Sequence, residues 1–187
     1  RVDAQLYTKP TTFDAFSSYV FDDPTSSFTT QNKTIFDGAL SATGTATINP
    51  SFTIGVQPPG MLLANLMVKV FEPGGNFSVD NVSMPFHAYS SYIGVQVPNT
   101  NSQYNYLASN KKHRFNIVDV NTNGSLSAGS TNVSVHLYKI QWRWWWDNSG
   151  DNLSNFTQSN VNKLIKTNEL ILNNGKGFVD VQFNEGD

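Results

Sequence analysis

The chain has 187 residues, room for one large domain or two small ones, and carries 12 Lys and Arg against 14 Asp and Glu. With an isoelectric point near 5.9 it offers no basic field for a phosphate backbone, which argues against nucleic acid as a partner. It contains no cysteine, so disulfides, thiolate metal sites and a cysteine nucleophile are ruled out within these residues.

Only 14% of the residues are charged, and Asn, Ser, Thr and Gly supply the polarity instead. Such a composition favours strands and turns over helices. Val2, Ala4 and Leu6 alternate with polar neighbours and predict a half-buried strand. Turn clusters follow at PTSS (24–27), NPS (49–51) and PPG (58–60). Leu62, Ala64, Leu66, Val68 and Val70 mark another strand, ended by EPGG at 72–75. MPFHAYSSYIGVQVP, 84–98, reads as an extended connector bracketed by Pro85 and Pro98, in which Tyr92, Ile93, Val95 and Val97 open a second group of strands. FNIVDV leads into NTNG at 121–124, an Asn-Gly hairpin turn toward the next strand. Val179, Val181 and Phe183 form the last alternating run, and 151–166 is the one stretch with helical character, weakened by its Asn and Ser. Short strands with frequent turns predict an all-β chain of sandwich type. No apolar span is long enough for a transmembrane helix, and Arg1 follows no leader, so a targeting segment is expected outside a piece excised from a longer protein.

Catalytic chemistry finds no foothold. His87, His113 and His136 are scattered, at no metal-pair spacing and beside no recognisable serine nucleophile motif. Asp119, Asn121, Asn123 and Gly124 match the opening of a calcium loop, but Ser130 stands where a bidentate Glu is needed. DNSGDN at 147–152 has the same oxygen-rich look and the same deficit, and reads as a turn. Seven Asn-X-Ser/Thr triplets begin at Asn32, Asn76, Asn81, Asn123, Asn132, Asn152 and Asn155. They are read as chance products of an Asn- and Ser-rich composition. No cofactor, metal or catalytic residue is expected, and the chain is read as non-enzymatic.

The densest signal is VHLYKIQWRWWWDNSG, with Tyr138, Trp142, Trp144, Trp145 and Trp146. On a strand, Trp142, Trp144 and Trp146 face one way and Arg143 and Trp145 the other, so both faces need cover. The cluster is therefore read as structural packing, with most of the tryptophans buried. Arg143 stacked on an aromatic ring would add about 0.5–2 kcal/mol. The rival reading is a carbohydrate-binding β-sandwich module that uses exposed aromatics.

Three stretches carry a family resemblance. LYKIQWRWWWDNSGDNLSNF resembles the aromatic strand and acidic, Gly-containing turn of bacterial α2-macroglobulin-like proteins. LMVKVFEPGGNFSVDNVSMPFHAYSSYIGVQVP is similar to the end of one macroglobulin-like domain and the first strand of the next, and FDGALSATGTATINP to the connection before such an end. The resemblance implies tandem fibronectin- or immunoglobulin-like sandwiches of macroglobulin type, residues 1–90 and 91–187. By this reading the first lacks its initial strand or strands and the second its last. It also implies a bacterial periplasmic or surface-anchored protein that entraps proteases, so neighbouring domains and proteases are the expected partners. The Cys-Gln thioester of many family members has no counterpart in a cysteine-free chain, so the resemblance transfers scaffold identity and not trapping chemistry.

Overall fold

A computed structural model describes residues 1–98, 106–140 and 162–184. The described residues are all-β, as the composition predicts: nine strands in two antiparallel sheets, with one short 3-10 turn at Asp14–Phe16. They divide into two compact units, Arg1–Pro10 with Ser26–Ala88, and Thr11–Thr25 with Tyr89–Asp187.

The first unit is a four-stranded sheet of order β2-β1-β3-β4, built from β1 (Val2–Thr8), β2 (Gln31–Phe36), β3 (Leu62–Phe71) and β4 (Phe77–Phe86). The alternation in β1 and β3 does what its period of two requires. Val2, Ala4 and Leu6 pair with Val68, Leu66 and Ala64 and share one face. The core of this unit lies toward the Leu62 end, where Leu6, Met61, Leu62 and Ala64 are buried. Fully burying each such large aliphatic side chain stabilises by roughly 1.5–3 kcal/mol. EPGG forms the predicted turn: Glu72 N–H donates to the Asn76 carbonyl at 2.8 Å, and Gly75 takes φ 86°. Pro85, expected in a connector, lies inside β4 opposite Leu63. A proline fits there because β4 is an edge strand.

The second unit is a five-stranded sheet of order β5-β6-β9-β8-β7. Its strands are β5 (Ser91–Gln96), β6 (Lys112–Asn121), β7 (Ser130–Ile140), β8 (Asn162–Asn173) and β9 (Lys176–Gln182). β8 and β9 pair only at Asn173 and Lys176, on either side of a turn in which Asn174 (φ 49°) and Gly175 (φ 71°) are left-handed. Beyond that point the strands part. The β7–β8 ribbon then packs Val133, Val135, Leu137 and Leu170 against Ile117, Leu172, Val179 and Val181. The opposite face of β5–β6 is covered by the excursion Thr11–Thr25. Phe21 and Phe13 meet edge to face at 5.0 Å, and Phe13 lies 5.8 Å from Tyr92. Val20 and Val95 bridge through reciprocal hydrogen bonds of 2.9 Å, and both carboxylate oxygens of Asp22 accept from Thr11 N–H.

Two local expectations change. The NTNG turn forms, with Gly124 at φ 83° and a Val120–Leu126 bridge, but the long strand after it pairs with β8 rather than back onto β6. The end of the helical stretch, 162–166, is strand, because its residues find a full antiparallel partner in β7 and tertiary pairing overrides weak local preference. Residues 151–161 lie outside the described residues.

Candidate interaction surface

The aromatic cluster is reached only at its first member. Tyr138, on β7, is 52% exposed and stacks obliquely on His136 at 6.3 Å between ring centres. Trp142, Trp144, Trp145 and Trp146, and with them Arg143 and the DNSGDN turn, lie outside the described residues.

Several of the described titratable and polar groups serve local structure. The ring Nε2 of His113 is 2.7 Å from the Ala108 carbonyl, and Nδ1 of His136 is 3.1 Å from the Thr167 hydroxyl. The calcium-like oxygens are pulled in different directions. Asn123 Oδ1 accepts from the Ser125 amide and hydroxyl, at 3.0 and 2.7 Å, and Asn121 Oδ1 accepts from Ser127 Oγ at 3.2 Å. Asp119 is buried and accepts from Thr131 Oγ1 at 2.8 Å through Oδ2, while its Oδ1 has no hydrogen-bond partner among the described residues. Ser130, at the twelfth loop position, hydrogen-bonds Asn173 at 3.3 Å. Among the described residues no group of three or more His, Asp or Glu could hold a metal ion.

One charged constellation stands out on β6 and β9. Arg114 donates to both carboxylate oxygens of Asp180, at 2.8 and 3.0 Å, and its guanidinium lies 3.8 Å from the centre of the Phe178 ring. Hydrogen bonding to Arg114 lowers the Asp180 pKa, and the reciprocal bond raises that of Arg114. The pair is exposed, as expected of a structural surface contact. In the first unit, the hydrogen bond from Thr34 holds Asp3 below the ordinary carboxylate range.

The largest unexplained feature is apolar. Phe71 and Phe77, at the tip of the β3–β4 hairpin, are each 57% exposed with ring centres 5.5 Å apart. Val70, Val79, Val82 and Met84 on the same hairpin are exposed too. Hairpin register sorts them: Val70, Val82 and Met84 share the face of the buried core, while Phe71, Phe77 and Val79 point to the other. On the core face a groove of about 690 Å³ opens over Leu66, Val68, Val70 and Met84, bordered by Leu40 and Ile48 of the 37–50 loop. Concentrated apolar exposure of this kind marks interaction surfaces. The sequence reading missed it because periodicity shows which side chains share a face, and not whether a second layer covers that face.

Comparison with known proteins converges on one family. Residues 94–186 match the family model of bacterial macroglobulin domain 6. The native conformation of E. coli alpha-2-macroglobulin, from a cryo-EM single-particle reconstruction, superposes with a TM-score of 0.52 at 12% identity, covering 98% of this chain and 12% of that one. E. coli alpha-2-macroglobulin activated by porcine elastase gives 0.50 at 14% identity, with 98% and 16% covered. At these identities the structural likeness is one of fold, and the chain spans a small part of the length of either neighbour. No curated protein sequence matches. The fold is that of a macroglobulin-domain protein. Residues 94–186 carry the bacterial macroglobulin-domain match, and the chain shares the fold of bacterial alpha-2-macroglobulin.

Proposed function

We propose that the chain supplies non-enzymatic scaffold domains to a larger alpha-2-macroglobulin-like protein that traps proteases. The observation that carries this reading is the match of residues 94–186 to a bacterial macroglobulin domain. The apolar surface of the first unit supports it, since scaffold domains must dock on neighbours. So do the local hydrogen-bond contacts of His113 and His136. The domain limits at 1–90 and 91–187, the neighbouring domains and proteases as partners, and a periplasmic or surface-anchored location belong to the same proposal.

The test is made on the longer protein. After incubation with an endopeptidase, a trap leaves hydrolysis of a small chromogenic peptide largely intact and suppresses hydrolysis of a large protein substrate. Equal rates on the large substrate with and without the protein would reject the reading. A glycan panel titrated against tryptophan fluorescence tests the carbohydrate alternative, which saturable quenching would favour.

A further inference from the structure

The edge of β4 has a readable polarity. Glu72 and Asn76 hydrogen-bond across the hairpin turn, and alternate antiparallel pairs exchange bonds, so Ser78, Asp80, Val82 and Met84 turn their backbone groups toward β3. Phe77, Val79, Asn81, Ser83 and Pro85 therefore turn theirs outward. Two further observations agree. Lys69, opposite Val79, exchanges backbone hydrogen bonds of 2.8 Å with Arg1 on its other side. The Asn81 N–H donates not to a strand but to the Asp80 carboxylate, at 2.8 Å. Pro85 has no N–H to lose at its outward position. Asp80 is the single charged residue in Phe77–Phe86.

We infer that the outer edge of β4 is a docking site for an extended polypeptide strand of alternating apolar side chains bearing one cationic residue opposite Asp80. The outward amides of Phe77, Val79 and Ser83 supply a ladder for strand addition. An added strand sends alternate side chains to either face: one set extends the apolar cover over Val82 and Met84 beside the groove, the other covers Phe77 and Val79. The centre of the ladder is occupied by Asp80, whose carboxylate must leave the Asn81 N–H before a strand can pair there. A Lys or Arg on the incoming strand gives that carboxylate a new partner and sets the register. A second copy meets the opposite condition. Two β4 strands paired about Asn81 would bring two displaced carboxylates together with no cation on either strand, which disfavours self-pairing and selects a basic partner.

The test uses the 187-residue chain and three soluble ten-residue peptides of alternating Val and Thr, with Lys, Glu or Pro at the centre, followed by the NMR shifts of the Phe77, Val79 and Ser83 amides. The Lys peptide is expected to give saturable shifts at those amides, with the Glu peptide at least tenfold weaker and the Pro peptide weaker still. Asp80→Asn should erase the difference between Lys and Glu. Val79→Pro, which removes an outward N–H, should weaken binding at least tenfold while circular dichroism and the melting curve show the fold retained. Absence of saturable shifts, equal affinity for Lys and Glu peptides, or full binding to folded Val79→Pro would overturn the proposal. So would concentration-dependent shifts of the same amides without peptide, which would assign the edge to a second copy.

Discussion

Gly94 shows how one missing side chain fixes the packing of a whole segment. A Cβ built there would lie 2.5 Å from Cε1 of Phe21 and 2.7 Å from Cζ, on a ring held in turn by Phe13. Gly94→Ala must push that ring off β5, at a cost of about 1–3 kcal/mol for overpacking, which a urea midpoint would register. No special backbone angle is involved, so the loss should be recovered in part by pairing Gly94→Ala with Phe21→Leu. The Arg114–Asp180 pair makes a prediction about pH. Its folded-state Asp180 pKa lies below the unfolded value, so its contribution is present above the unfolded pKa and is lost as pH falls through the folded one. Melting temperatures of the protein and of Asp180→Asn should differ at neutral pH and converge in acid. A constant offset down to the lowest pH would show that hydrogen bonding to neutral side chains, and not the charge, holds the pair.

At the scale of elements, β4 shows that strand alternation and strand exposure are separate facts. Its ten residues are partly or fully exposed on both faces, and its apolar residues change face between Val79 and Val82. Backbone direction makes neighbouring positions unequal. Ser78→Pro removes an N–H that bonds toward β3 and leaves the Val70 carbonyl without its donor, whereas Val79→Pro removes one that faces outward. The first should cost about 1–3 kcal/mol more than the second, measured by chemical denaturation. Equal losses would mean that the hairpin register is shifted by one residue. The β8–β9 turn behaves in the opposite way to an ordinary hairpin. Its left-handed Asn174–Gly175 pair is the favoured two-residue connection, yet the strands separate at once. An Asn-Gly pair marks a turn but carries no record that the ribbons after it will face each other across a core.

For the molecule as a whole, the chain path matters more than the strand count. After β1 the chain leaves the first unit, contributes Thr11–Thr25 to the second, and returns. In residues 91–187 alone, Tyr92, Val118 and Val120, all buried in the intact chain, would lose the cover of Phe13 and Phe21. Burial of two Phe side chains contributes roughly 3–6 kcal/mol, so the excised segment should melt well below the same unit within the full chain. It should also bind the hydrophobic dye ANS. Adding a synthetic peptide spanning residues 11–25 should restore part of the loss, and a segment as stable as the intact unit would show that the excursion covers nothing of consequence.

Local patterns in the sequence specify an all-β class and much of the local geometry. Alternation at Val2–Leu6, Leu62–Val70 and Val179–Phe183 located strands, and Pro and Gly located turns, because side-chain direction and backbone sterics act over a few residues. The resemblance read from three stretches pointed to the bacterial macroglobulin family, which comparison supports over residues 94–186. Long-range packing settles the rest. It made β8 from the end of an expected helix, gave β7 its partner across a long separation, put Pro85 in an edge strand, and sent Phe13 and Phe21 to a sheet that begins some seventy residues later. It also leaves Phe71 and Phe77 exposed among the described residues. These outcomes depend on which surfaces meet after the chain has folded. That choice is made by burial between residues far apart in sequence, and no local pattern records it.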